Sequence, residues 1–178
     1  MRALAVHGEQ VELSRQRGRP PRFTTPQLEA GRWPAEDALL RTVALVETFA
    51  SGRLRTGQSA YMSIPGHTLT VWEGILGRAD RSWLKRHEVW KREFNVHLWD
   101  CPDYASFRGF VEVRNAVTHG LGQLTDQQIG RLAEVDTLFE AARVARGGRW
   151  VLFGDQHVEA ASHVSVAVVK WLDAAAPF

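Results

Sequence analysis

The stretch "DYASFRGFVEVRNAVTH", Asp103 to His119, decides the fold class. Phe107, Phe110, Val111, Arg114 and Val117 recur at steps of three and four, the spacing of one helix face. Asp103 stands where an N-cap belongs. Gly120 and Gly122 come next as stop signals. Gly109 costs helix propensity in the interior and permits a close helix contact.

Outward from this helix the same period repeats. "EDALLRTVALVETFAS" places Leu39, Leu40, Val43, Val46, Phe49 and Ala50 on one stripe. Pro34 opens that helix, with Glu36 and Asp37 in the first turn, and Gly52 closes it. Residues 53–66 read as a loop with a Pro-Gly turn. "HTLTVWEGILGRA" is a short helix with Leu69, Trp72, Ile75 and Leu76 as core. "RSWLKRHEVWKREFNVHL" is another, with Trp83, Leu84, Trp90 and Phe94 inward, Arg86 and Lys91 at polar positions, and Pro102 breaking it. Thr125 with Gln128 matches a capping box. The run after it puts Ile129, Leu132, Val135, Phe139 and Ala142 at helical spacing, up to Gly147 and Gly148. "RWVLFGDQHVEA" is a short strand or hairpin arm. A final helix carries Val164, Val168 and Leu172. The expected fold is all-α, a bundle of about five helices with short irregular attachments.

Composition narrows the function classes. The chain has 178 residues, enough for one cored domain, with residues 1–33 as an irregular arm and 34–178 as the helical domain. No stretch of 18 apolar residues exists, and no secretory signal is visible. With a single cysteine, Cys101, the default location is the cytoplasm. The formal charge is +2, which permits nucleic acid without arguing for a long phosphate-tracking groove. Arg15, Arg17, Arg19 and Arg22 cluster in the arm, beside Pro20 and Pro21, as a solvated tail or an RNA contact. A small hairpin around Gly8 and Glu9 precedes them. The seven histidines and Cys101 show no zinc spacing, and no phosphate loop or nucleophile elbow is present. No metal and no cofactor are expected. Trp72, Trp83, Trp90 and Trp99 are expected mainly as core or interface anchors.

Arg114, Asn115 and His119 are the polar residues that need a reason. On an ideal helix Arg114 and His119 lie about 140° and about 7.5 Å apart, so they do not share a face. Asn115 and His119 do, and an amide contact can orient the imidazole. A site using Arg114 and His119 together needs a groove closed by a second surface, which a symmetric dimer supplies. A histidine can pass a proton near neutral pH, and the helix end favours a cation there. An arginine can hold a phosphoryl oxygen with two donors. The three suit RNA cleavage by attack of the 2'-hydroxyl on the adjacent phosphate.

"RNAVTHG" resembles the Arg-Asn-x-x-x-His signature of the HEPN superfamily. The flanking "HGLGQLT" is similar to the segment after the motif in bacterial members of the RNase LS-like or swt1-like kind. The resemblance implies a four- or five-helix bundle and a metal-independent endoribonuclease working as a homodimer. Arg114, Asn115 and His119 would be its catalytic motif. It also implies a toxin or phage-defence role, with an antitoxin or other defence partner. Some members use an acidic residue upstream, a part that Glu47 or Glu112 can fill. The alternative is a HEPN-like domain without nuclease activity, a binding or scaffold partner of a nucleotidyltransferase or defence protein.

Overall fold

A computed structural model describes residues 25–176 and 178. The chain divides into two compact units, Met1–Trp33 and Pro34–Phe178, and the side chains described here belong to the second. The arm arginines Arg15, Arg17, Arg19 and Arg22, and the hairpin expected around Gly8 and Glu9, lie outside the described residues.

The fold is an all-α helical bundle with one small hairpin. Its elements are α1 (Thr25–Thr56), α2 (Gln58–Met62), α3 (Leu69–Ala79), α4 (Trp83–Phe94), a 3-10 turn (Leu98–Asp100) and α5 (Tyr104–Gly120). Then come α6 (Asp126–Ile129), α7 (Leu132–Ala141), β1 (Ala145–Gly147), β2 (Trp150–Leu152) and α8 (Asp155–Ala175). None of the described helices is long and apolar enough to cross a membrane.

Helix α5 is the centre of the bundle and packs against α7 and α8. Tyr104, Phe107, Phe110 and Val113 are almost wholly enclosed. Val111, Arg108 and Glu112 are buried as well, so the burial goes well beyond a single stripe. Gly109 makes the approach of α7 possible. A Cβ there would stand 2.2 Å from the Leu138 carbonyl oxygen and 2.6 Å from Ala142 Cβ. Gly109→Ala is therefore expected to destabilise the fold. Overpacking of this kind costs ~1–3 kcal/mol, against a helix-propensity gain of ~1 kcal/mol. Urea denaturation is the check, and an alanine variant more stable than the parent would contradict this packing.

Several boundaries differ from the sequence expectation. Helix α1 does not open at Pro34; it begins at Thr25 and contains the proline. A proline forfeits one backbone donor and crowds the preceding turn, so it reads equally as a helix start or an interior break. Nor does Gly52 close α1. The stripe Leu39, Val43, Val46 and Ala50 continues to Leu54, which is fully buried, and the helix runs on to Thr56. The loop expected at 53–66 contains that last turn and α2.

Helix α3 begins at the cap of Thr68, and Trp72 and Ile75 are core, whereas Leu69 is exposed. Helix α4 starts at the Ser82 cap and stops at Asn95 (φ 56°), well before Pro102. Asparagine accepts the left-handed conformation that ends a helix. Leu84 faces solvent, and Arg86, expected at a polar position, is buried. The run expected from 126 onward is two helices, α6 and α7, separated by Gly130 and Arg131. Helix α7 ends at Ala141, short of Gly147; Arg143 takes the left-handed conformation (φ 55°) and Val144 N–H returns to the Phe139 carbonyl at 2.8 Å. Trp72, Trp83 and Trp90 are core, while Trp99 is half exposed.

Strands β1 and β2 pair antiparallel, with Arg146 opposite Val151, across a turn at Gly148 (φ 64°). This hairpin is tied to the turn beyond α5. Leu124 N–H donates to the Arg149 carbonyl at 2.7 Å, and Val151 N–H to the Gly122 carbonyl at 3.0 Å. The C-terminal end of α5 is thereby held in place.

Candidate functional site

A cleft of about 920 Å³ opens beside the C-terminal half of α5. Arg114, Asn115 and His119 all line it. The two faces of α5 that carry Arg114 and His119 thus meet one concavity. Glu47 of α1 and Trp83 of α4 also line it, as do Thr125, Gln128 and Arg131. The second surface that the helical spacing demands is present within this chain.

Arg114 is about three-quarters buried and donates from Nη2 to Glu47 Oε1. The same oxygen accepts from Trp83 Nε1 at 3.0 Å. Glu47 therefore ties α1, α4 and α5 together at the cleft wall. Arg114 Nε is buried without a hydrogen-bond partner. Of the two acids considered for an upstream role, Glu47 contacts Arg114 directly.

His119 is exposed on the last turn of α5. Its conformation is set behind it: Leu121 adopts the left-handed conformation (φ 52°), and Gly122 N–H returns to the Ala116 carbonyl at 3.0 Å. This is a C-terminal cap, and Leu121 is the residue in the cap position. Among the described residues, no hydrogen bond or ion pair holds the side chain of His119 or Asn115. The Asn115 amide does not orient the imidazole in this structure. Asp103 occupies the N-cap position of α5, but its side chain makes no capping hydrogen bond. At Thr125 the expected capping box is complete, with Thr125 N–H donating to Gln128 Oε1 at 3.1 Å.

Glu112 has a different role from Glu47. It is 2% exposed and accepts from Gln128 Nε2 at 2.9 Å and Arg131 Nη2 at 2.8 Å. Its carboxylate is committed to holding the wall of the cleft, so Glu47 is the better placed of the two acids. Burial pulls Arg131 down, but the Glu112 hydrogen bond and the charges of Glu112 and Glu134 outweigh it and hold the guanidinium above its ordinary value.

Two cleft arginines are not legible as site residues in the sequence. Arg86 is 4% exposed, Arg108 is 7% exposed, and the Nε of each is buried without a partner. Burial lowers the Arg86 pKa, opposed by the charges of Glu47 and Asp80; an arginine nonetheless stays cationic near neutral pH. Burial raises the Tyr104 hydroxyl, opposed by Arg108 and Arg86. The lining holds five arginines against four carboxylates, a net of one positive charge before His119 is counted.

No family model, curated protein or solved structure matches this chain. Function therefore rests on the chemistry of the cleft. Among the described residues, no group of three or more His, Cys, Asp or Glu is placed to hold a metal ion.

Proposed function

We propose that this protein is a metal-independent endoribonuclease of HEPN type that cleaves RNA through its own 2'-hydroxyl. The observation that carries the reading is the convergence of Arg114, Asn115 and His119 on one cationic cleft. The 2'-oxygen attacks the adjacent phosphorus, and the bond from phosphorus to the 5'-oxygen breaks. The products are a 2',3'-cyclic phosphate and a 5'-hydroxyl. One proton leaves the 2'-hydroxyl for a base, and another reaches the departing 5'-oxygen from an acid. His119 takes one of these parts. Arg114, steered by Glu47, balances the charge that develops on the phosphoryl oxygens.

The second proton-transfer group comes from His119 of a partner copy in a symmetric dimer. The resemblance adds a toxin or phage-defence role restrained by a partner protein. The runner-up is a HEPN-like binding module without cleavage. It is favoured by the Glu47 contact, which already occupies one Arg114 donor.

The test is RNA cleavage in excess EDTA by the parent and by Arg114→Ala. Loss of one phosphoryl-stabilising donor set is expected to lower the rate roughly 100-fold or more. Equal cleavage by both proteins would remove Arg114 from the mechanism. No cleavage by the parent of structured or single-stranded RNA would favour the binding module.

A further inference from the structure

Arg86 and Arg108 are the two most buried arginines of the cleft, and the Nε of each lacks a hydrogen-bond partner. Their neighbouring carboxylates are shared with closer partners. Asp80 accepts from Ser51 Oγ at 2.8 Å and pairs with Arg55 at 3.3 Å, leaving Arg86 at 3.7 Å. Glu112 and Glu134 both bond Arg131, at 2.8 and 3.1 Å. Arg108 is left with the same two acids at 3.7 and 4.0 Å. Arg86 gains one long hydrogen bond to Ser51, at 3.4 Å. A buried cation so poorly compensated is costly to the fold. An anion entering the cleft would offset that cost.

Aromatic rings frame the same pair. The Arg86 guanidinium lies 4.6 Å over the Trp83 ring, and that of Arg108 lies 6.0 Å from the Trp99 ring centroid. Trp99 is fixed edge-to-face on Tyr104 at 5.0 Å and is 49% exposed. A half-exposed tryptophan locked by a buried neighbour is a rigid platform for a flat ring.

We propose that Arg86, Arg108 and Trp99 form a nucleotide subsite in the cleft, the arginines taking a phosphate and Trp99 stacking the base. The inference rests on the ribonuclease reading for its source: the ligand is a nucleotide of the RNA strand next to the one cleaved at His119. A free mononucleotide shares the chemistry and is the other source.

Binding of a labelled 2'-O-methyl RNA hexanucleotide, which lacks the attacking hydroxyl, separates binding from cleavage. It is measured by fluorescence anisotropy on the full chain, Arg108→Gln and Trp99→Ala, with Arg78→Gln as a control on exposed surface away from the cleft. Thermal melting establishes that each variant is folded. Arg108→Gln is expected to weaken binding at least about tenfold, through loss of charge-assisted hydrogen bonds. Trp99→Ala is expected to weaken it roughly fivefold or more. The control should bind like the parent. Should Arg108→Gln fail to fold, the exposed Trp99 decides alone. Parent-like binding by the folded variants overturns the subsite, as does failure of the parent to bind either the hexanucleotide or AMP. Binding of AMP alone, with the same dependence on Arg108 and Trp99, supports the subsite and counts against an RNA source. Hexanucleotide binding that depends on these residues, in a parent that cleaves no RNA, supports the subsite while the ribonuclease reading falls.

Discussion

His119→Ala is expected to lower the rate of RNA cleavage by roughly 100- to 10,000-fold, the range for removing a positioned acid or base. The substitution is unusually clean. His119 is exposed, and no side-chain hydrogen bond or ion pair among the described residues depends on it. The cap behind it uses backbone groups of Ala116 and Gly122. Surface changes of this kind alter stability by about 0.5 kcal/mol or less. A large loss of rate at unchanged melting temperature therefore reports chemistry rather than unfolding. Retained activity would place the reaction at another site.

Glu112→Ala has the largest expected effect on stability. Glu112 is 2% exposed and joins Gln128, Arg131 and, at 3.7 Å, Arg108. Truncation removes the buried carboxylate, leaving Arg131 and Arg108 with Glu134 alone and the Gln128 amide with the Glu112 backbone carbonyl. Breaking a buried pair by removing one partner costs ~3–5 kcal/mol. At about 2–4 °C per kcal/mol for a chain of this size, the melting temperature should fall by roughly 6–20 °C. Glu112→Gln keeps an acceptor oxygen and should lose less. Differential scanning calorimetry measures both. A fall of only about a degree in the alanine variant would mean that Glu112 is solvated, contrary to its placement.

Local features of this molecule are the ones its sequence carries. Helix α5 is legible because its apolar residues keep one period from Phe107 to Val117. The Thr125–Gln128 capping box is legible because it closes within four residues. Gly109 is legible as a close contact, although Leu138 and Ala142 are not legible as the residues approached. Helix ends are less so. Asn95 stops α4 through its own backbone conformation, and Pro102 then has nothing left to break. Leu54 extends α1 past Gly52 because the burial of one leucine outweighs the modest cost of a helical glycine.

Half of the candidate site is local and half is not. Arg114, Asn115 and His119 lie within six residues, so spacing alone singles them out. Glu47 lies 67 positions from Arg114 and is suggested by a resemblance rather than by its contact. Arg86 and Arg108 stay hidden because a charged residue reads as an outward one. Glu112 is one turn from Arg108, but only the tertiary fold reveals that Ser51 and Asp80 approach Arg86 and that Glu134 approaches Arg108. Long-range pairing of polar groups leaves no period in a sequence.

The most direct measurement is the chemistry of the cut ends. RNA is incubated with the purified parent protein in excess EDTA, and the fragments are analysed by mass spectrometry. Attack by the 2'-hydroxyl leaves a 2',3'-cyclic phosphate on one fragment and a 5'-hydroxyl on the other, and neither requires a divalent ion. Fragments carrying a 5'-phosphate and a 3'-hydroxyl, or cleavage that disappears with EDTA, would contradict the mechanism built on Arg114 and His119.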